Sequence, residues 1–461
     1  MEGVARVKRT KVKIQIQPAG IQIDDPTIML SEALVKKWKI PTQSSLQLRF
    51  GSAKHEVKVV SLPQAGALRI HDSLAAKWGL AQGMPLCLHY KPSTRVIQIG
   101  PLISVMVSRV HANSVERPFG NVTSFCREMD DACRLYGAAV FFVTPDEVSG
   151  HGDTVKGWHY AGRWIKRSFP LPHIIYNRLT SRKYENRANV QQFIRHAKSQ
   201  QQSILFNEKY LNKTEVFDAL RKESGLPIYL PDSHLLRNGQ LLKTMCTKYT
   251  TIFLKPITGS LGKGIIRIKR QSDGSYMCHF TNLKGARKQS FGSLQQLSNY
   301  LSPKIKHQRY QIQQGLTLIS VSKRPVDFRA LVQLNDAGQW SITSIVARTA
   351  GNNHFVSNLA RGGSLSTVRE ALARSNSTAT AGGALKLRRA ALAIAKGIET
   401  QIPGHFAELG IDLAMDTQGK VWLLEVNSKP SKDDNTPLPG SRTIRPSVKK
   451  VVQYSRFAAK F

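Results

Sequence analysis

Apolar positions in the first hundred residues form a pattern that occurs twice, with a period of 40. SEALVKKWKIPTQSSLQLRFGSAKHEVKVV from Ser31 recurs as HDSLAAKWGLAQGMPLCLHYKPSTRVIQIG from His71, so that Leu34, Trp38, Leu48, Val57 and Val59 match Leu74, Trp78, Leu88, Ile97 and Ile99. Each copy predicts a short amphipathic helix, a tight turn and two alternating strands, a unit too small to close a core alone. Two copies are expected to pack into one small pseudo-symmetric β-rich barrel. After Pro101 the period changes. LISVMVS predicts a buried strand, Phe125, Met129, Ala132 or Cys133, and Tyr136 recur at helical spacing, Gly137 supplies the stop, and AVFFV from Ala139 predicts a second strand. This is a βαβ unit, and PHIIYNRL (Pro172 to Leu179) adds a further strand.

From about Phe206 the pattern predicts a helix opened by Asn212 and Lys213, strands from Thr251 and Gly264 around a glycine-rich loop, and a central strand at Tyr310 to Gln314. Strands Asp327 to Gln333 and Ile342 to Arg348, a long Ala-rich helix near Ala384 to Thr400, and a hairpin from Ile411 follow. SNSTATAGG from Ser375 reads as a mobile connection, and the basic helix from Ser447 is expected on the outside. Three regions result: a duplicated module (1–100), an α/β domain (101–205) and a larger α+β domain (206–461).

Composition sharpens this picture at three points. With 461 residues and 41% hydrophobic content the chain can bury a large core. Its 67 Lys and Arg against 30 Asp and Glu give a net charge of +37, which implies an anionic partner. The excess is spread along the chain, and only Arg6 to Lys13 begins to concentrate it, so a general polyanion surface is expected rather than a reader of nucleic-acid sequence. Five cysteines without a CxxC pair fit a reducing compartment. No run approaches the ~18 apolar residues of a membrane span and no signal-peptide core is seen, so a cytoplasmic location is expected.

Candidate chemistry lies in three places. In IDLAMDTQGKVWLLEVNSKPS, a turn at Thr417 to Gly419 that pairs Asp416 with Val421 would set Asp412 opposite Glu425, with Asn427 on the same face. Like charges facing each other are destabilising unless offset, and a hard divalent cation such as Mg²⁺ is the natural occupant. The alternative is a solvated strand end paired with lysines such as Lys429. In FLKPITGSLGKGIIRI, Lys255 ends an apolar strand before Gly259, Ser260, Gly262, Lys263 and Gly264, whose amides can close over a phosphate or simply make a hairpin turn. In RPVDFRALVQL and IVARTAGNNHFVSNLARGGSL, Asp327 and Arg329 share a strand face, Arg348 ends the next strand, and Asn358 follows. These cations would suit an acyl phosphate or a tetrahedral intermediate, or are surface arginines of a basic protein. Asn177, Arg178 and Arg182 stand at a strand end where open α/β sheets bind ligands, or at an ordinary surface.

Together, KP…GSLGKGI, VDFRALV, NLARGGS and GIDLAMD…LLEVNSKPS resemble the ATP-grasp superfamily from about Asn207 to Asn435, and the N…GG segment is similar to that of glutathione and protein-glutamate ligases. From Pro101 onward, PFGNV, IIYNRLTSR and EVNSKPS resemble the YheC/YheD-type endospore coat-associated proteins of spore-forming bacilli. The resemblance implies an ATP-grasp fold of two α+β subdomains, preceded by an α/β pre-grasp domain and the β-rich module. It implies ATP with two Mg²⁺ ions, metal ligation by Asp412, Glu425 and Asn427, and phosphate contact by Lys255 and Lys213. It also implies adenine near Gln313 and Gln314, a loop from Gly259 to Gly264 closing over the phosphates, and catalytic roles for Arg329, Arg348 and Asn358. Two positions depart from related patterns: Gly410 stands where D-alanine ligases carry an arginine, and Ser431 where a glycine is usual. The expected function is ATP-dependent joining of a carboxylate to an amine or thiol, in association with the spore. Its rivals are a non-catalytic coat or polyanion-binding protein and a DNA-associating protein.

Overall fold

A computed structural model describes residues 8–17, 26–111, 113–257, 264–282, 285–351, 363–432 and 444–461. The repeat forms a closed barrel of β1 (Lys8–Gln17), β2 (Thr27–Ser31), β3 (Leu46–Phe50), β4 (Ala53–Leu62), β5 (Ala67–His71), β6 (Pro85–Lys91) and β7 (Val96–Gly100), in the order β1-β5-β2-β4-β3-β7-β6. The two short helices, Glu32–Trp38 and Asp72–Trp78, bury Trp38 and Trp78 and end on left-handed Lys39 and Gly79. The period of 40 carries β2, the first helix and β3 onto β5, the second helix and β6, but its match of β4 with β7 is not that of the strand pairing. β4 pairs antiparallel with β3 and parallel with β2, and β1 likewise pairs antiparallel with β6 and parallel with β5, so β1 is the counterpart of β4. The basic N-terminal segment is therefore woven into the barrel with Val12 and Ile14 buried, and is no free tail over Lys8–Gln17.

β8 (Leu102–Met106), β9 (Ala139–Val143), β10 (Thr154–Tyr160), β11 (Trp164–Pro170), β12 (Ile174–Asn177) and β13 (Ile204–Phe206) form a second sheet, ordered β11-β10-β9-β8-β12-β13. Helix Thr123–Tyr136 covers it with Phe125, Cys126, Met129 and Cys133 buried. The barrel is fastened to this layer through backbone as well as side chains. Cys87 N–H donates to the Gly137 carbonyl at 2.8 Å and Ser52 N–H to that of Leu171 at 3.0 Å. Helix Pro446–Ala458 does not lie outside: Val448, Val451, Val452 and Tyr454 are buried in the same core as Phe125, Met129 and Tyr176. Its valines recur on one face, and that apolar stripe outweighs the basic residues flanking it.

A third, antiparallel sheet follows from β14 (Ser233–Leu235), β15 (Thr251–Pro256), β16 (Ile266–Arg270), β17 (Tyr276–Asn282), β18 (Gly285–Phe291) and β19 (Tyr310–Gln314), ordered β14-β19-β15-β16-β17-β18. The fourth comprises β21 (Arg324–Leu334), β22 (Trp340–Thr349), β23 (Ser364–Thr367), β24 (Glu408–Met415) and β25 (Val421–Asn427), ordered β23-β22-β21-β24-β25, with β20 (Ser320–Val321) on β21. Every residue of β24 is buried, and helix Gly383–Gln401 packs Leu387, Ile394 and Ile398 into that core. The segment from Ser375, expected to be mobile, is tied down instead. Asn376 N–H donates to the Ser320 carbonyl at 3.0 Å and the Ser377 hydroxyl to that of Thr417 at 2.6 Å.

Candidate active site

The β24–β25 hairpin places Asp412 directly opposite Glu425, by a route different from the simple turn expected. Val421 pairs with Met415 rather than Asp416, because Asp416 belongs to the turn, where its N–H donates to the Lys420 carbonyl at 3.0 Å and Gly419 takes φ +78. In that register Asp412 would face Leu424 and Glu425 would turn into the core. A bulge between Asp412 and Leu413 leaves Leu424 unpaired and restores the match of Asp412 with Glu425 and of Gly410 with Asn427. One extra residue flips the remaining side chains, so the bulge brings both carboxylates to one face.

The row continues across the sheet. Arg329 on β21 is the cross-strand neighbour of Asp412 and grips it with two bonds, Nε to Oδ1 and Nη2 to Oδ2 at 2.9 Å. Arg348 Nη2 reaches Asp412 Oδ1 at 3.1 Å, and its Nε donates to Asp327 Oδ1 at 2.6 Å. Burial alone would raise the Asp412 carboxyl, and Arg329 and Arg348 outweigh it and hold it below the usual aspartate range. Burial would likewise weaken the charge on Arg348, but Asp412 and Asp327 keep that guanidinium firmly protonated. These are not loose surface arginines. A Cβ at Gly410 would meet Pro430 Cβ at 3.0 Å and Arg329 Nη1 at 3.5 Å, so the space over Gly410 is bounded by that guanidinium.

Two lysines complete the cluster from other elements. Asn212 caps helix Lys213–Arg221 by accepting from Thr214 N–H at 2.9 Å, and the first helical residue, Lys213, extends its Nζ to Glu425 Oε1 at 2.9 Å. Lys255, on β15, donates to Gln313 Oε1 on β19. Burial lowers the Lys255 ammonium to about 8, a shift opposed by Glu425, deepened by Lys213 and opposed again by Asp412. Gln313 is buried and its Nε2 has no partner among the described residues, so a polar donor is left facing the cluster's neighbourhood. Gln314 accepts from Asp232 N–H at 2.7 Å and fixes β14 instead. Gly259, Ser260, Gly262, Lys263 and Asn358 lie outside the described residues. Lys429, offered above as a partner for the hairpin acids, pairs with Glu185 instead.

Lys255 carries a pH prediction. Below about 8 its folded form is charged, and as pH rises through 8 it loses its proton while an unfolded lysine keeps one to about 10.4. An anion bound beside it should therefore weaken by up to about tenfold per pH unit above 8. Calorimetric titration with Mg-ATP at several pH values checks this, and Lys255→Arg, which stays charged, should flatten the profile.

A second buried network lies behind the hairpin, and sequence reasoning did not find it. Glu408 begins β24 with no exposed surface and accepts from Tyr176 Oη at 2.5 Å, Arg178 Nη1 at 3.1 Å, Lys432 Nζ at 2.5 Å and Gln333 Nε2 at 3.1 Å. Arg178 also donates to the Pro430 carbonyl at 2.8 Å, and Asn207 donates to the Glu408 and Ser428 carbonyls. Asn177 and Lys429 both bond Glu185, and Arg182 donates to the Leu211 carbonyl at 2.7 Å. The polar end of β12 thus neither faces an open ligand crevice nor an ordinary surface. It holds segment 428–432, which follows the hairpin's last candidate ligand. An acid opening an otherwise apolar strand was the one available signal.

Two carboxylates and an amide side by side form an oxygen-only donor set that fits a hard divalent cation holding few protein ligands. Among the described residues no cluster of three or more His, Cys, Asp or Glu suits a metal. The fold is that of the ATP-grasp class. The profile of YheC/D-like ATP-grasp proteins matches residues 202–457, more than half of the chain, and the chain belongs to that family. The endospore coat-associated protein YheD of Bacillus subtilis is 29% identical over 342 residues, covering 73% of this chain and 74% of that protein. Endospore coat-associated protein YheC of the same organism is 20% identical over 303 residues, covering 64% and 82%. Among solved structures, D-cycloserine synthetase DcsG aligns with a TM-score of 0.46 at 10% identity, covering 77% of this chain and 99% of its own. The VanG D-Ala:D-Ser ligase of Enterococcus faecalis gives the same score, identity and coverage.

Proposed function

We infer that the protein is an ATP- and Mg²⁺-dependent ligase that activates a carboxylate as an acyl phosphate and transfers it to an amine or thiol. The observation that carries this reading is the convergence of Asp412, Glu425, Arg329, Arg348, Lys213 and Lys255 from six different elements. Bound Mg²⁺ would supply charge neutralisation at the phosphates, held by Asp412, Glu425 and Asn427. Lys255 and Lys213 then orient the β- and γ-phosphates, and Gln313 presents its spare amide donor to the nucleotide. Arg348 and Arg329 are held at the site by Asp412 and Asp327 and would turn from Asp412 toward charge developing on the phosphoryl group as the metal takes its oxygens. The relatives' names favour association with the endospore coat, and this reading places the protein in the mother cell or forespore cytoplasm. Among the described residues no helix is long and apolar enough to cross a membrane. A non-catalytic coat protein that retains a nucleotide fold is the second reading, favoured by those same names and by the +37 charge.

Glu425→Gln removes a charge that no neutral group replaces at the metal. Mg-ATP binding should weaken roughly tenfold or more, about 1.4 kcal/mol per decade. Equal affinity of wild type and variant in calorimetry would overturn the assignment of the metal site.

A further inference from the structure

The turn of the β24–β25 hairpin, Asp416 to Lys420, lies at the opposite end from Asp412 and Glu425 and forms one wall of a bowl of about 440 Å³. Helix Gly383–Gln401 forms the other wall, and Tyr229 contributes an aromatic side. Among the described residues three cations, Lys386, Arg389 and Lys420, line it, and no carboxylate does. The nearest acid along the turn, Asp416, is turned into its own loop, accepting from Gln418 N–H at 3.0 Å, Lys420 N–H at 2.9 Å and Trp422 Nε1 at 2.8 Å. Lys386 is braced on the Gly419 carbonyl at 3.2 Å, and Lys420 lies 3.8 Å over the Trp422 ring, so two of the cations are positioned by the fold. Ile228 and Leu385, the chain neighbours of the lining residues Tyr229 and Lys386, are 58% and 51% exposed, two of the few large apolar side chains left in water among the described residues.

We propose that this bowl docks an acidic peptide segment, two or three of whose carboxylates meet Lys386, Arg389 and Lys420 while an apolar side chain rests on Ile228, Tyr229 and Leu385. Charge complementarity selects an anion. The exposed aliphatic rim and the short span favour a peptide over a nucleic acid, which would need an extended cationic track. The site is separate from the candidate nucleotide site, and its occupancy does not depend on catalysis.

Fluorescence anisotropy with a labelled glutamate-rich peptide carrying one leucine tests the proposal on the full chain. The double variant K386E/R389E should weaken binding roughly tenfold or more, since it replaces two attractions by two repulsions. K243E/K306E, which changes net charge equally at exposed positions on other helices, should shift it less than about twofold. Leu385→Ser should weaken it severalfold and leave Lys386 and Arg389 in place. Should K386E/R389E misfold by circular dichroism, K386Q/R389Q with Leu385→Ser serves as the test. Equal losses in the bowl and control variants would mean that only the general charge acts and would overturn the proposal. So would a duplex DNA that competes through the bowl more strongly than the peptide does.

Discussion

Glu408→Ala is expected to cost about 3–5 kcal/mol of folding stability, the usual penalty for breaking a buried ion cluster on one side. Glu408 is fully buried, and without it Lys432 and Arg178 would remain in the core without their shared carboxylate. Burial pushes the Glu408 carboxyl up, but Lys432 and Arg178 outweigh it and hold it below the ordinary glutamate range. Its contribution is therefore complete above that range and is lost as pH falls through the depressed folded value. Tyr176 and Arg178 come from the end of the second sheet and Lys432 from the segment after the hairpin, so the loss should loosen the seam that holds 428–432 in place. Urea unfolding of wild type, Glu408→Ala and Glu408→Gln measures this. The glutamine variant, which keeps an acceptor for Tyr176, should fall between the other two. A loss below about 1 kcal/mol for the alanine variant would contradict the network's role.

The hairpin was legible because acids and an amide at alternate positions in an apolar run have no place in a core, and period-two geometry puts them on one face. Its register was not, since nothing in LLEVN marks Leu424 as the residue to be bulged out. Arg329 and Arg348 were legible as strand residues, but their grip on Asp412 and Asp327 depends on which strands become neighbours. Lys213 and Glu425 are 212 positions apart in the chain, and Tyr176 and Glu408 are 232 apart. No local pattern encodes such pairs. The C-terminal helix was expected outside because it is basic, but the burial of its apolar stripe of Val448, Val451 and Val452 decides where it lies.

Arg348→Ala should lower the rate of the proposed ligation by roughly 10²-fold or more, the scale of one preorganised electrostatic stabiliser. Arg348 is nearly buried, and two carboxylates fix its guanidinium before any substrate arrives. Part of the effect could come from freeing Asp327 and Asp412, so Arg348→Lys is the companion. It keeps a charge for the carboxylates but cannot reproduce the planar fork, and it should fold like wild type while staying well below wild-type rate. Near-normal turnover in both variants would remove Arg348 from the reaction.

The most direct measurement offers amino acids, short peptides and acidic polymers to the protein with Mg-ATP and hydroxylamine, and follows ADP and hydroxamate together. The ligase account predicts that at least one carboxylate yields both in equal amounts, because the γ-phosphate passes to the carboxylate and hydroxylamine captures the acyl phosphate. Mg-ATP binding without carboxylate-dependent ADP or hydroxamate from any member of the panel would contradict it and leave the nucleotide-binding coat protein.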